Sequence, residues 1–160
     1  MDGKQIPDRI TSILLPLITL FIISGFYACD RKIPGSEEIN QAIKVFGVQL
    51  FSEADYKDIK GIIPSKEPCT KGFEYIYDSL DISIGYSFKG YIRKITSLNK
   101  STSMFDIHIG DSFQSGTAKI LKSGFKKSED PYSFVKDWCS FTLLVNEQQK
   151  VFGMRVEVLD

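Results

Sequence analysis

Residues 80–86 read Leu-Asp-Ile-Ser-Ile-Gly-Tyr, an alternation of apolar and polar side chains that is typical of a strand with one buried face. Lys89-Gly90 follows as a turn, and residues 91–95 resume the alternation. Residues 73–77, which precede the first stretch in the sequence, have the same pattern. Together the three segments predict an antiparallel sheet in the middle of the chain.

The segment before these strands predicts one more strand and a helix. Phe46, Val48 and Leu50 alternate as in a half-buried strand. A helix is predicted to begin at Ser52, an N-cap candidate followed by acidic residues, and to stop at Pro64, which cannot continue a helix. This half of the chain therefore has the order β-α-β-β.

The second half repeats this order. Sliding the halves by about 59 residues aligns them without gaps, so that Phe46 falls on Phe105 and Ile84 on Leu143. The agreement is one of pattern, with few identities. The predicted elements are a strand at 104–109, a helix from Asp111 or Ser112 to Gly124, and strands at 132–135, 138–145 and 151–158.

The sequence thus predicts an α+β fold of two tandem β-α-β-β units with antiparallel sheet, after an N-terminal signal or anchor helix. The predicted divisions are residues 1–28 for the signal peptide or anchor, 29–41 for a tether, 42–100 for the first repeat and 101–160 for the second. Because each repeat is shorter than a typical domain, the two should share a core or join their edges into one sheet.

The N-terminus has the three parts of an export signal. Lys4 and Arg9 lie in a short polar leader, and residues 10–23 are almost wholly apolar. Ser24, Gly25 and Ala28 supply small residues near a cleavage point, and Ala28 directly precedes Cys29. This order predicts a chain that is exported or held at a membrane.

An apolar run that ends in a small residue and a cysteine resembles the N-terminus of bacterial lipoproteins. The resemblance implies cleavage before Cys29 and a diacylglyceryl group on its thiol, whose acyl chains, such as palmitate, would hold the protein on a membrane. Phe26 and Tyr27 depart from the family pattern, which has Leu and a small residue there.

Two alternatives to lipidation stay open. Residues 10–28 approach the ~20 residues that a membrane-spanning helix needs, so the segment could remain as an uncleaved anchor. Ordinary cleavage near Gly25 would instead release a soluble protein. The predicted location is the cell envelope, with the protein anchored to a membrane and facing the periplasm or the exterior.

The three cysteines bear on the oxidation state. If Cys29 carries lipid, Cys69 and Cys139 remain as an even pair in an oxidising compartment, where a disulfide can persist. The alternative is two separate thiols, with Cys139 a small apolar strand residue.

Composition and motifs exclude several functions. Twenty basic and twenty acidic residues balance, so no strongly basic surface is expected to attract nucleic acid. His108 is the sole histidine of the sequence, and alternation places it on the side away from Ile107 and Ile109. No nucleophile elbow, zinc motif or phosphate loop accompanies it. We therefore predict no catalytic, cofactor-binding or metal-binding residues and a protein that is not an enzyme.

Residues 107–113, Ile-His-Ile-Gly-Asp-Ser-Phe, precede a short predicted helix, Gly124-Phe125 and a hairpin. This order resembles envelope lipoproteins of the SmpA/BamE type and the tandem modules of β-lactamase-inhibitor-like proteins, which implies an α+β fold with a binding surface. The leading hypothesis is a membrane-anchored, non-enzymatic module that binds a protein of unknown identity through its sheet or a sheet edge. The alternative is an inhibitor or immunity protein against a toxin or hydrolase of the envelope.

Overall fold

Strands make up most of the regular structure. The computed structural model describes residues 33–159. The strands are β1 (Ile43–Lys44), β2 (Ser65–Cys69), β3 (Gly72–Tyr77), β4 (Ile82–Ser87), β5 (Ile92–Ser97), β6 (Ser103–Met104), β7 (Ile107–His108), β8 (Lys126–Lys127), β9 (Ser133–Lys136), β10 (Cys139–Val145) and β11 (Val151–Val158). The helices are α1 (Ser36–Ala42) and α2 (Phe113–Lys122), with a single 3₁₀ turn at Asp78–Leu80.

Eight strands form one antiparallel sheet in the order β2-β3-β4-β5-β11-β10-β9-β8. The central pair is β5 with β11, in which Ile95 lies opposite Val156 and Lys94 opposite Glu157. The strands from the two halves of the chain therefore belong to one sheet. Strands β1, β6 and β7 form a separate three-stranded antiparallel sheet.

The core lies on one face of the large sheet. Because neighbouring side chains of a strand point to opposite faces, Ile84, Ile95, Val156 and Phe141 form a buried row across β4, β5, β11 and β10. Helix α2 covers part of this face through Ile120, which is fully buried. The other face, called the outer face below, carries the intervening residues.

The predicted α+β fold of two β-α-β-β units is wrong, because the described chain is mostly β. The helix predicted between Ser52 and Pro64 does not form. Lys60 and Gly61 both have positive φ angles and make a tight turn that brings Ile59 and Ile62 into a bridge. Such a turn interrupts the backbone pattern that a helix needs.

Of the strand predicted within residues 42–50, only β1 forms, and residues 46–50 are not a strand. Phe46 and Gly47 have positive φ angles, and the Val48 N–H donates to the Val45 carbonyl at 3.0 Å. A turn with the same signs of φ at Phe105 and Asp106 divides the strand predicted at 104–109 into β6 and β7. The alternation of apolar and polar residues in the sequence continues through both turns, so it does not indicate where the chain reverses direction.

Part of the predicted tether is folded. Helix α1 forms at its C-terminal end, where Ile39 is buried and the Asn40 side chain exchanges two hydrogen bonds with the Leu50 backbone, at 3.1 and 2.8 Å. The Trp138 indole Nε1 donates to the Pro34 carbonyl at 2.8 Å. Residues from Pro34 onward thus belong to one compact unit.

Neither helix within residues 33–159 is long and apolar enough to cross a bilayer. The predicted signal or anchor at 1–28 and the lipid attachment residue Cys29 lie outside the described residues.

Candidate binding face

The outer face of the large sheet is polar and half exposed. Its residues alternate with the buried core residues of the same strands. They are Glu74 and Ile76 on β3, Ser83 on β4, Lys94 and Thr96 on β5, Arg155 and Glu157 on β11, and Ser140, Thr142 and Leu144 on β10. Such a face offers a broad surface of mixed charge that can meet another molecule.

Gly85 allows an ion pair to form across a strand. Lys94 on β5 lies flat over Gly85 on β4 and reaches Glu74 on β3, with Nζ 2.8 Å from Oε2. A Cβ at position 85 would lie 3.0 Å from the Lys94 Cβ and 3.1 Å from its Cε. The glycine is therefore needed for the lysine to adopt this path.

Glu74 is held in its charged form. Burial by itself would raise the pKa of Glu74, but hydrogen bonds from Lys94 and Ser83 and the nearby charge of Arg155 lower it below the ordinary value. A second pair joins Arg93, which is buried, to Glu157. The centre of the outer face thus holds two ion pairs that fix side-chain positions.

A pocket of about 140 Å³ opens at one end of the sheet, where β3 ends, β4 begins and β5 ends. We call this the far end. Its lining comprises the partly exposed apolar residues Ile76 and Leu98, the hydroxyl residues Ser83 and Thr96, the exposed carboxylate residues Asp78 and Asp81, and the strand residues Tyr77 and Ile82. Within residues 33–159 neither carboxylate forms an ion pair.

Two leucines form an apolar patch beside this pocket. A Cβ at Gly153 would lie 2.6 Å from Leu98 Cδ2 and 2.8 Å from Leu144 Cδ1, so both leucines cover the bare glycine. Leu98 stays 41% exposed and Phe152 45% exposed. The far end therefore combines apolar surface with carboxylates that have no partner of opposite charge in the described chain, which suits a cationic side chain with an apolar neighbour.

The edges of the sheet are poor docking sites in the described part of the chain. Edge strand β8 has two residues, both lysines. In edge strand β2, Pro68 has no N–H to give to β3, so its nitrogen faces the open side. Pro64 and Lys66 share that side because they are an even number of residues away. The open edge of β2 therefore presents one N–H donor, that of Lys66.

The structure keeps the two predicted disulfide partners apart. Cys69 and Cys139 are both free thiols, on β2 and β10, with four strands between them. Strand spacing puts these strands about 24 Å apart, whereas a disulfide requires Cα atoms within about 7 Å. Burial raises the pKa of Cys139 to about 12, as expected for an inert core thiol.

Three aromatic residues in or next to strands of the large sheet and the single histidine lie in different settings. Tyr86 is buried, and its hydroxyl donates to the Ala54 carbonyl at 2.9 Å. Tyr91 and Trp138 are half-buried at the end of the sheet opposite the pocket, called the near end below. His108 is exposed, as alternation predicted. Among residues 33–159 no group of three His, Cys, Asp or Glu side chains could hold a metal ion.

The pocket was not predicted from the sequence. Ser83 and Thr96 could have been found as the polar positions of the alternation, on the face opposite the core. Asp78 and Asp81 come from a short turn between strands, where acidic residues are common and carry no specific signal.

No protein-family model matches the chain, and no curated protein matches it. A solved structure with similarity to it is an extracellular protein containing an SCP domain from Bacillus anthracis. The TM-score is 0.39 with 10% sequence identity, over 99% of this chain and 49% of that one. The chain thus spans about half the length of that protein.

Proposed function

We propose that this chain is a membrane-anchored envelope lipoprotein that acts as a non-enzymatic protein-binding module. Its anchor is the lipid on Cys29, and its binding surface is the far-end pocket with the adjoining Leu98 and Leu144 patch. The partner is a protein that inserts a Lys or Arg side chain between apolar residues of its own.

The observation that supports this proposal is the composition of the pocket. Asp78 and Asp81 supply negative charge, Ser83 and Thr96 supply hydroxyls, and Leu98 supplies an apolar wall. A cationic side chain buries its methylene stem against apolar surface and keeps its charge at carboxylates, so this lining matches it along its whole length. The short and proline-containing sheet edges favour recognition by side chains over strand addition.

Site-specific crosslinking in the native host tests the binding surface. A photo-crosslinking amino acid at Leu98 in the full-length chain is expected to give one discrete adduct, and Asp78→Asn with Asp81→Asn to abolish it. The matched control is the same amino acid at Leu121, which is 39% exposed on α2, on the opposite side of the sheet. Equal adducts from positions 98 and 121, or an adduct that survives the double substitution, would contradict the proposal.

Mass spectrometry identifies the crosslinked protein and so distinguishes a general protein-binding module from an inhibitor or immunity protein. A toxin or secreted hydrolase as the crosslinked protein would favour the inhibitor or immunity alternative.

The anchor is tested separately. Cys29→Ala is expected to remove the lipid mass and release the protein from the membrane fraction. A variant that stays membrane-bound with its leader attached would show that residues 10–28 are an uncleaved anchor.

A further inference from the structure

The near end of the sheet carries the start of the folded unit and an exposed aromatic side chain. Phe88 is 82% exposed at the tip of the β4–β5 turn, which the Ser87 N–H closes with the Tyr91 carbonyl at 2.9 Å.

A continuous row of contacts links Pro34 to this turn. The Trp138 indole binds the Pro34 carbonyl, and the Trp138 and Phe51 rings lie 4.8 Å apart between centroids. The Phe51 and Tyr91 rings lie 5.9 Å apart, and Tyr91 closes the turn that carries Phe88. The first folded residues and Phe88 therefore lie at the same end of the sheet.

Cationic side chains surround Phe88. A shallow pocket of about 250 Å³ beside it is lined by Thr70, Lys71, Ser87, Lys89, Tyr91 and Arg93. The Phe88 N–H donates to the Lys71 carbonyl at 3.0 Å, which fixes the two turns side by side. An exposed ring next to an exposed lysine, here Phe88 and Lys89, is a combination that binds the boundary between headgroups and acyl chains.

The length of the connecting chain limits how far this end can be from a lipid on Cys29. Five peptide units join Cys29 to Pro34, and fully extended they span at most about 18 Å. Anchoring at Cys29, as proposed above, thus keeps Pro34, which lies at the near end, within about 18 Å of the lipidated residue.

We infer that Phe88 and Lys89 form a membrane-contact surface for anionic lipid headgroups. The Phe88 ring enters the headgroup region, and the Lys89 ammonium group binds lipid phosphates. This inference rests on the proposed anchoring and adds a defined orientation of the folded unit on the membrane.

Fluorescence quenching of the full-length lipidated protein tests the contact. Phe88→Trp and Phe152→Trp are compared in vesicles of phosphatidylglycerol and brominated phosphatidylcholine, with the wild type giving the Trp138 background. Phe152 is the matched control because it is an exposed phenylalanine in β11 at the far end. We expect loss of the fluorescence added at position 88 and none of that added at 152. Equal quenching at both positions would overturn the inference.

The lipid charge is tested with the same reporter. Adding Lys89→Gln to Phe88→Trp should weaken the quenching in phosphatidylglycerol vesicles and leave it unchanged in phosphatidylcholine alone. If the effect of Lys89→Gln on the quenching is the same with and without phosphatidylglycerol, the inference is also overturned. If the wild type fractionates with membranes while position 88 is not quenched, the anchoring stands and the inference fails.

Discussion

Residues 51–63 and helix α2 have similar patterns of apolar and polar residues at an offset of about 59 positions. Only the second segment is a helix. Both begin with a serine that can cap a helix. In α2 the Ser112 side chain accepts the Ser115 N–H at 3.2 Å, as an N-cap does. In the first segment Ser52 accepts the Ala54 N–H at 3.1 Å, which closes a turn instead.

Tyrosine hydroxyls hold the first segment in its irregular form. The Tyr86 hydroxyl donates to the Ala54 carbonyl and accepts the Tyr56 N–H at 3.1 Å, while the Tyr77 hydroxyl donates to the Tyr56 carbonyl. Tyr75 donates to Asp55 at 3.1 Å. The bonds from Tyr86 and Tyr77 use backbone groups that a helix would pair internally, and the Tyr75 bond holds the Asp55 carboxylate. Similar local signals thus give different structures because the sheet beneath supplies different partners.

The largest effect should come from the apolar contact of the helix. Ile120→Ala removes a fully buried side chain and leaves a cavity, so we expect a loss of about 2–5 kcal/mol in the free energy of unfolding. Urea denaturation measures it. Leu121→Ala, next in sequence but exposed, is the control and should cost far less. Similar losses of unfolding free energy for both variants would mean that the buried side of α2 contributes no more to stability than its exposed side.

A smaller effect is expected from the tyrosine contacts. Tyr86→Phe leaves the Ala54 carbonyl and Tyr56 N–H without their partner, at a cost of about 1–3 kcal/mol. Hydrogen exchange should speed up at Tyr56 while the amides of α2 keep their protection. Tyr132→Phe is the control, since its ring is exposed and its hydroxyl makes no hydrogen bond within residues 33–159. Unchanged exchange at Tyr56 would show that apolar packing alone holds the segment.

The smallest effect is expected on the fall of folding stability at acidic pH, through Asp111. Burial would raise the pKa of Asp111, but hydrogen bonds from Lys119, at 2.7 Å, and from the His108 N–H lower it below the ordinary value. A lowered folded-state pKa contributes stability above the ordinary pKa of Asp, and this is lost as pH falls through the folded value. Asp111→Asn and Lys119→Met should therefore each flatten the fall in stability at acidic pH. An unchanged acid slope in both would show that the pair adds nothing to stability.

The sequence predicted the central strands because their alternation is strict. Ile82 and Ile84 are buried and Ser83 is not, as the pattern required. Helix α2 was also predicted, near its observed limits. These elements are decided by residues close in the chain.

The errors come from contacts between distant residues. The structure of residues 51–63 depends on Tyr77 and Tyr86, which lie 21 and 32 residues from the residues that they bind and have no special sequence pattern. The pocket likewise joins the ends of three strands, so its carboxylates and hydroxyls become neighbours only in the folded sheet. Neither could have been read from local periodicity.

The prolines near the edge of the sheet affect molecules beyond a single chain. A ninth strand pairing with β2 would need backbone N–H donors at positions 64, 66 and 68, and only Lys66 supplies one. Copies of the protein crowded on a surface therefore find only one of three backbone donors for joining their sheets along this edge. A high local concentration, which favours aggregation of open sheets, is tolerated here because the backbone gives a neighbouring copy so little to pair with.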